Sequence, residues 1–172
     1  VVPPAQMVAN MKVGTMDCFC VCEPWNLQLI HQQIGYTAIT TCELWDKHPE
    51  KSFGMRAEFV DKYPKATMAL LQAVLEAQQW CEKMENRAET AAICAKRQWI
   101  NVPVKDVTDR FLGKFDYGIP GKVVENSPHI MRYWKDHASY PFQSHDLWFI
   151  TEDIRWGKFE AGYDAKTLIG KV

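Results

Sequence analysis

The sequence lacks three features that would readily assign a chain to a class. Its 20 Lys and Arg balance 21 Asp and Glu, for a formal net charge of -1, so the basic excess needed to bind a phosphate backbone is missing. Nucleic acid is therefore not expected as a partner. No apolar run reaches membrane-spanning length. The six cysteines include no CxxC pair, which argues against a zinc ribbon.

The first residues also lack the marks of a natural amino terminus. The chain begins with VVPP instead of methionine, and the basic, apolar and small-residue succession of a signal peptide does not follow. We therefore expect a fragment or a processed piece of a longer protein. The 172 residues, 47% of them hydrophobic, suffice for one ordinary domain with a sizeable core.

A β-α-β unit is predicted near the amino terminus, after a short helix that starts at Pro4 and stops at Gly14. Residues 16–22 are almost wholly apolar and predict a buried strand, residues 27–34 have helical spacing, and residues 36–41 are β-branched and aromatic. A right-handed crossover makes the two strands parallel, so their carboxyl ends open at one sheet edge, where α/β folds bind ligands. That edge carries Glu23, Trp25, Thr40, Thr41 and Glu43.

The rest of the chain is predicted to be helical, without strands of its own. The pattern predicts helices that begin at Pro64, at a capping box of Asn86 and Glu89, near Pro103, at Ser127–Pro128, and at Ser144, the last stopping at Gly157. We expect this helical second half of the chain to pack on a sheet, of which the chain would contain only a part. The predicted fold class is α/β.

Five sequence blocks follow one another along nearly all of the chain. They are PPAQMVANMKVGTMD, FCVCEPWN, HPEKSFGMRAEFVDKYPKATMALLQAVLEAQQWC, ENSPHIMRYW and SHDLWFITEDIRWG. Together they resemble the carboxyl-terminal part of the nitrate-binding and bicarbonate-binding proteins of cyanobacterial-type ABC transporters. The resemblance implies part of a type II periplasmic-binding-protein fold, a parallel-rich sheet flanked by helices, in which two α/β lobes close on a small oxyanion.

The resemblance also implies a division of the chain. Residues 1–15 would be a remnant of the second lobe, residues 16–25 a hinge strand, and residues 26–172 the carboxyl-terminal part of the first lobe with a helical extension. Members of this family are much longer, so most of the first lobe would be absent. Because a sheet that lacks strands exposes apolar faces, we expect the isolated chain to dimerise or to be poorly soluble.

Four residues are predicted to bind the ligand. By the resemblance, Gly14 matches a family glycine whose backbone approaches the anion, although a helix C-cap is an equal alternative. Glu23 and Trp25 lie at the predicted sheet edge. By spacing, Glu43 falls at the position where similar nitrate binders place a lysine and the bicarbonate binder places a glutamate.

Glu43 is the residue expected to distinguish the two anions. Nitrate has no proton to donate, so an ionised carboxylate repels it, whereas bicarbonate has an O–H group and can share a calcium ion with a carboxylate. A Glu43 that faces the ligand therefore favours bicarbonate, with calcium as the candidate metal. A Glu43 that faces solvent says nothing. No other cofactor is predicted.

Three cysteines, Cys18, Cys20 and Cys22, alternate along the first predicted strand. On such a strand neighbours on one face lie roughly 6.6 Å apart with parallel side chains, which disfavours a disulfide. We interpret them as a small-residue packing face. The five histidines form no HxxxH pair, so surface or capping roles are expected for them instead of metal binding or catalysis.

The resemblance implies a function without chemistry. The chain would belong to the substrate-binding component of an ABC importer for nitrate, nitrite or bicarbonate, periplasmic, anchored through a missing amino-terminal segment and in contact with the membrane subunits. One alternative is a ligand-sensing domain fused to a cytoplasmic transporter ATPase. Another is an enzyme similar to the thiamine pyrimidine-precursor synthases. The CFCVC stretch of this chain resembles the CCCFC motif of those enzymes, although here it lies far before the RAEFVDKYPK helix.

Overall fold

A computed structural model describes residues 2–170 of the chain. The helices are α1 (Pro4–Lys12), α2 (Trp25–His31), α3 (Thr41–Leu44), α4 (Ala57–Lys62), α5 (Pro64–Glu82), α6 (Arg87–Cys94), α7 (Lys105–Phe111), α8 (Gln143–Arg155) and α9 (Ala165–Ile169). Two strands, β1 (Phe115–Asp116) and β2 (Val123–Val124), form an antiparallel pair. Short 3₁₀ turns span Met84–Asn86 and Lys135–His137. Within the described range, no helix has the length and apolar character needed to cross a bilayer.

Proline and glycine mark the helix ends as the sequence predicts. Pro4 opens α1, where a missing N–H costs nothing. Past the end of that helix Gly14 adopts φ +74, and its N–H donates to the carbonyl of Met11. Pro64 opens α5 in the same way. Gly157, with φ +74, follows the end of α8.

The predicted β-α-β unit is not formed, and that prediction is wrong for residues 2–170. Residues 16–22 and 36–41 contain no strand, although α2 forms between them. A strand needs a neighbouring strand to exchange backbone hydrogen bonds with. Within the described chain, residues 36–41 make one long-range backbone hydrogen bond, from the Thr37 N–H to the Tyr117 carbonyl at 2.8 Å. Apolar and β-branched residues favour a strand, but no strand forms here without a neighbouring strand to pair with.

The two strands that do form lie where none was predicted. They flank a turn in the FDYGIPGKVVENSP segment, and their register pairs Phe115 with Val124 and Asp116 with Val123. Gly118 and Gly121 both have positive φ in this turn, a conformation that glycine adopts readily. The segment is therefore a short hairpin, and the prediction of a strandless second half is corrected.

Of three predicted helix starts, one is confirmed in position, one is wrong and one is shifted along the chain. Helix α6 begins at Arg87 with Asn86 as its N-cap residue, as predicted, but the Asn86 amide donates back to the Trp80 carbonyl and makes no side-chain cap. The Ser127 hydroxyl accepts the His129 N–H, which forms a local turn, and no helix follows there. Ser144 lies inside α8, whose N-cap residue is Phe142.

The core contains two small buried clusters. In one, Val8 of α1 packs with Trp25 and Leu29 of α2; in the other, Ala91 and Ala95 pack with Val107. The half-buried side chain of Val102 packs against both clusters and connects them. Helices α1, α2, α6 and α7 thus surround one continuous apolar region.

The cysteine segment presents the face opposite to the one predicted. The thiol-bearing residues Cys18, Cys20 and Cys22 are exposed, while the alternating residues Phe19 and Val21 pack on the first cluster. Larger apolar side chains gain more from burial than thiols do, so they take the inner face. Within residues 2–170 the packing role predicted for these cysteines is therefore corrected.

Candidate functional site

Glu43 occupies the first turn of α3 and accepts three hydrogen bonds through one oxygen. Oε2 receives the Thr40 N–H at 2.6 Å, the Thr40 hydroxyl at 2.8 Å and the Tyr117 hydroxyl at 3.1 Å. The Thr40 N–H is the main cause that lowers the pKa of Glu43, because each of these donors favours the ionised form. The Thr40 and Glu43 side chains form a capping box.

The second carboxylate oxygen of Glu43 is available. Oε1 accepts no hydrogen bond from any described residue, and the side chain is exposed. Beside it, the Lys122 ammonium lies 3.9 Å from the centre of the Tyr117 ring. Burial and the bond to Glu43 raise the pKa of the Tyr117 phenol, so the phenol stays a donor. The site thus presents the free Oε1 of an ionised carboxylate, which is held in place by the hydrogen bonds to Oε2.

Glu23 lies in the turn before α2 and contacts helix α7. One oxygen is 3.0 Å from Nε of Arg110, whose side chain is 3% exposed, and the other accepts the Leu27 N–H at 3.1 Å. Burial raises the pKa of Glu23 more than Arg110 lowers it. Arg110 also donates to the Asp116 carbonyl at 2.7 Å and stacks on Phe115 at 4.5 Å.

The β1 strand and the residue after it join the two glutamates. Arg110 links Glu23 to the carbonyl of Asp116, and the next residue, Tyr117, donates to Glu43. The structure therefore brings two of the four predicted ligand residues to the same hairpin. Each glutamate contacts this hairpin through a residue that the sequence analysis did not identify.

Gly14 and Trp25 are placed elsewhere. Gly14 is exposed past the end of α1, and a Cβ built on it would meet no atom within 4 Å. Trp25 is 9% exposed and packs against Val8 and Leu29, so its contacts in this chain are those of a core residue. Ligand binding by all four residues stays a prediction.

A histidine–aspartate pair was not anticipated from the sequence. Nδ1 of His31 lies 2.7 Å from the carboxylate of Asp106, which is buried and also contacts Gln28 at 3.4 Å. His31, Lys105 and Asp109 are among the residues that line an open cleft of about 650 Å³. The pair ties α2 to α7. No spacing rule reveals it, because its members lie 75 residues apart.

The residues described offer little to a metal ion. Among residues 2–170, no three His, Cys, Asp or Glu side chains are grouped so that they could hold a metal. Calcium takes about six to eight oxygen ligands, and Glu43 provides one free carboxylate oxygen here. The described residues around Glu43 therefore do not by themselves fit a calcium ion.

Comparison with known proteins identifies the family of this chain. The model of the NMT1-like family matches residues 1–95. The chain belongs to this family.

Three relatives are informative. The chain is 54% identical over all its 172 residues to "Nitrate/nitrite binding protein NrtA" of Synechocystis sp., of which it covers 39%. It is 43% identical over 159 residues to "Bicarbonate-binding protein CmpA" of Synechococcus elongatus, a match that covers 91% of this chain and 35% of that protein. A crystal structure of the periplasmic nitrate-binding protein NrtA from Synechocystis matches 100% of this chain with a TM-score of 0.95 and 54% identity.

These matches confirm the family resemblance and the predicted fold class. The chain folds as one part of a periplasmic binding protein, since it covers 45% of that crystallised chain. It spans about two fifths of the curated relatives. The division at residues 15 and 25 into lobe remnant, hinge strand and lobe stays a prediction.

Proposed function

We propose that the protein to which this chain belongs is the nitrate- or nitrite-binding component of an ABC importer, and that it has no enzymatic activity. One observation carries the proposal: identity to the nitrate/nitrite binding protein is 54% over the whole chain, against 43% to the bicarbonate-binding protein. The closely matching fold of a periplasmic nitrate-binding protein supports it.

Location and partners follow from the same proposal. A receptor for an importer works outside the inner membrane, so the protein is placed in the periplasm, held there by an anchor and docking on the membrane subunits of the transporter. The regulatory alternative, a sensing domain joined to a cytoplasmic ATPase, would place the same fold inside the cell. Binding without turnover separates both from an enzyme.

Bicarbonate is the second candidate, and Glu43 is the observation that favours it. Its Oε1 is exposed and accepts no bond from the described residues. An ionised carboxylate accepts the O–H of bicarbonate but repels nitrate. A calcium ion at Glu43 would need further oxygen ligands from the remainder of the protein, since residues 2–170 do not group three metal-binding side chains.

A chimeric receptor tests these assignments. Residues 1–172 replace the matching part of the Synechocystis nitrate/nitrite binding protein, and calorimetric titration measures affinity for nitrate, nitrite and bicarbonate, each with and without calcium. We expect tight nitrate binding that calcium does not change. Bicarbonate binding that requires calcium would overturn the assignment and favour carbon uptake.

A Glu43→Gln variant of the chimera separates the roles of Glu43. Glutamine retains the shape of the side chain but removes its charge. If Glu43 faces bicarbonate, the affinity of the chimera for bicarbonate should therefore fall roughly tenfold or more, as expected for a charged hydrogen bond of about 1.5–3 kcal/mol. If Glu43 only caps α3, nitrate affinity stays within about twofold. Glu58→Gln, at a highly exposed side chain, is the matched control.

A further inference from the structure

Helices α5 and α6 form a hairpin in which two cysteines face the same space. Cys81 lies in the last turn of α5 and accepts a hydrogen bond from the Thr90 hydroxyl of α6 at 3.8 Å. Residues four apart on a helix share a face, so Cys94, one turn beyond Thr90, lies on the side of α6 that meets Cys81. Both thiols are half-buried and free.

Tyr133 lies close to the same pair of helices, and the two cysteines influence its pKa. Burial raises the pKa of its phenol to about 12, and the thiols of Cys81 and Cys94 add to that rise. Cys81 also adds to the rise that burial causes in the pKa of Cys94. Tyr133 lies at this end of the two helices, because its N–H donates to Glu82 of α5 at 2.6 Å and its ring lies 4.6 Å from the Arg87 guanidinium of α6.

We propose that Cys81 and Cys94 form a reversible intramolecular disulfide that locks the α5–α6 hairpin. The other cysteines are placed differently. Cys18, Cys20 and Cys22 are exposed on the segment before α2, and Cys42 lies in α3, apart from the α5–α6 pair in the sequence. Cys81 and Cys94 are therefore the two half-buried thiols on the facing sides of α5 and α6.

The oxidant is a low-molecular-weight disulfide such as oxidised glutathione. The Cys81 thiol loses its proton, and the thiolate attacks one sulfur of the oxidant, which breaks the oxidant's S–S bond and releases one thiolate that takes up a proton. The deprotonated Cys94 then attacks Cys81 in the mixed disulfide and releases the second glutathione thiol. Two protein thiols are oxidised and one disulfide is reduced to two thiols.

Peptide mapping of the full chain is the direct test. After treatment with oxidised glutathione and removal of the excess, trypsin should leave residues 66–83, with Cys81, joined to residues 88–96, with Cys94. We expect the two peptides to be linked within single chains, and the link to be lost after dithiothreitol. Glutathione adducts on both peptides, or linkage only between chains, would overturn the proposal.

A variant with Cys18, Cys20, Cys22 and Cys42 replaced by serine isolates the pair. Its intact mass should fall by two hydrogen atoms on oxidation, and its melting temperature should rise by roughly 5–10 °C, since a disulfide that closes a short loop restricts the unfolded chain. The further change Cys94→Ser should abolish both effects and leave one glutathione adduct. An unchanged mass in a folded variant would contradict the proposal. Should that variant fail to fold, the peptide map of the unmodified chain decides alone.

Discussion

Glu23 lies 3.0 Å from Nε of Arg110, and this ion pair connects the turn before α2 with helix α7. The Arg110 side chain is nearly inaccessible, at 3% exposure, and its Nε and Nη1 make no hydrogen bond within the described chain, so the contact with Glu23 is an ion pair without a hydrogen bond. Its other contacts, the Asp116 carbonyl and the Phe115 ring, belong to the hairpin. The pair therefore fixes the hairpin that carries Tyr117, the partner of Glu43.

Loss of that pair should be costly. Arg110→Met leaves the half-buried Glu23 carboxylate, whose side chain is 28% exposed, without its cation. Removal of one partner of a buried pair costs about 3–5 kcal/mol, so we expect a loss near the lower end of that range. Urea unfolding followed by circular dichroism measures the change. The control is Arg56→Met, which removes an ion pair with Glu58 whose members are 82% and 83% exposed. The control should change stability by less than about 0.5 kcal/mol, and equal effects would contradict the structural role of Arg110.

The sequence predicted the helices better than the contacts between them. Helical periodicity and proline or glycine at the ends are local signals, so α1, α5 and α7 lie close to the predicted positions. Strands depend on a partner strand that can lie anywhere in the protein. The segments at 16–22 and 36–41 have the composition of strands without a partner within residues 2–170.

The candidate site shows the same limit. Glu23 and Glu43 stand out in the sequence because they follow apolar segments. Tyr117 lies 74 residues from Glu43, and Arg110 lies on a helix whose buried face could be expected to be apolar. No spacing rule relates residues that only the tertiary fold brings together.

Glu82 should make stability depend on pH. Its Oε2 accepts the Tyr133 N–H at 2.6 Å and the Trp134 N–H at 2.9 Å. Burial raises the pKa of Glu82, but these backbone donors and Arg87 together outweigh it and lower the pKa below 4.5. A carboxyl with a lowered folded-state pKa adds stability above its unfolded pKa, and this stability is lost as the pH falls through the folded value.

Glu82→Gln tests this dependence. Glutamine keeps the size but accepts the two N–H groups without charge, so we expect a loss of about 1–2 kcal/mol at pH 7 that shrinks as the pH falls below 4.5. Glu76→Gln, on the exposed part of α5, should have almost no effect. Unfolding free energies measured from pH 3 to pH 7 would contradict the prediction if the two variants had parallel profiles.

Leu27 tests the core. Its side chain is 0% exposed, so Leu27→Ala removes buried methyl groups and leaves a cavity, at a cost of about 2–5 kcal/mol. Leu44→Ala, at a side chain that is 71% exposed, should cost less than about 0.5 kcal/mol. Denaturant midpoints at matched protein concentration give both values. A small effect at Leu27 would show that the side chains around it are loosely packed in the isolated chain.

Two glycines of the hairpin offer a matched comparison. Both have positive φ, +69 at Gly118 and +78 at Gly121, but a Cβ on Gly118 would lie 3.0 Å from Ile30 and 3.2 Å from the Gly35 carbonyl, whereas one on Gly121 meets nothing. Gly121→Ala should cost about 1 kcal/mol from backbone strain alone. Gly118→Ala adds overpacking and should cost about 2–4 kcal/mol. Thermal melts that rank the two variants in the opposite order would contradict this geometry.

Helix α5 should cause the isolated chain to associate. Thr67 is its one buried residue, while Met68 and Leu70 are 64% and 46% exposed. The chain spans about two fifths of its relatives, and an apolar face left without its neighbours favours self-association. Sedimentation velocity at rising concentration should show dimers or larger species. Met68→Glu combined with Leu70→Glu should shift the chain toward monomer, whereas Lys65→Glu on the same helix should not. A monodisperse, cooperatively melting monomer of the unmodified chain would show that α5 needs no partner.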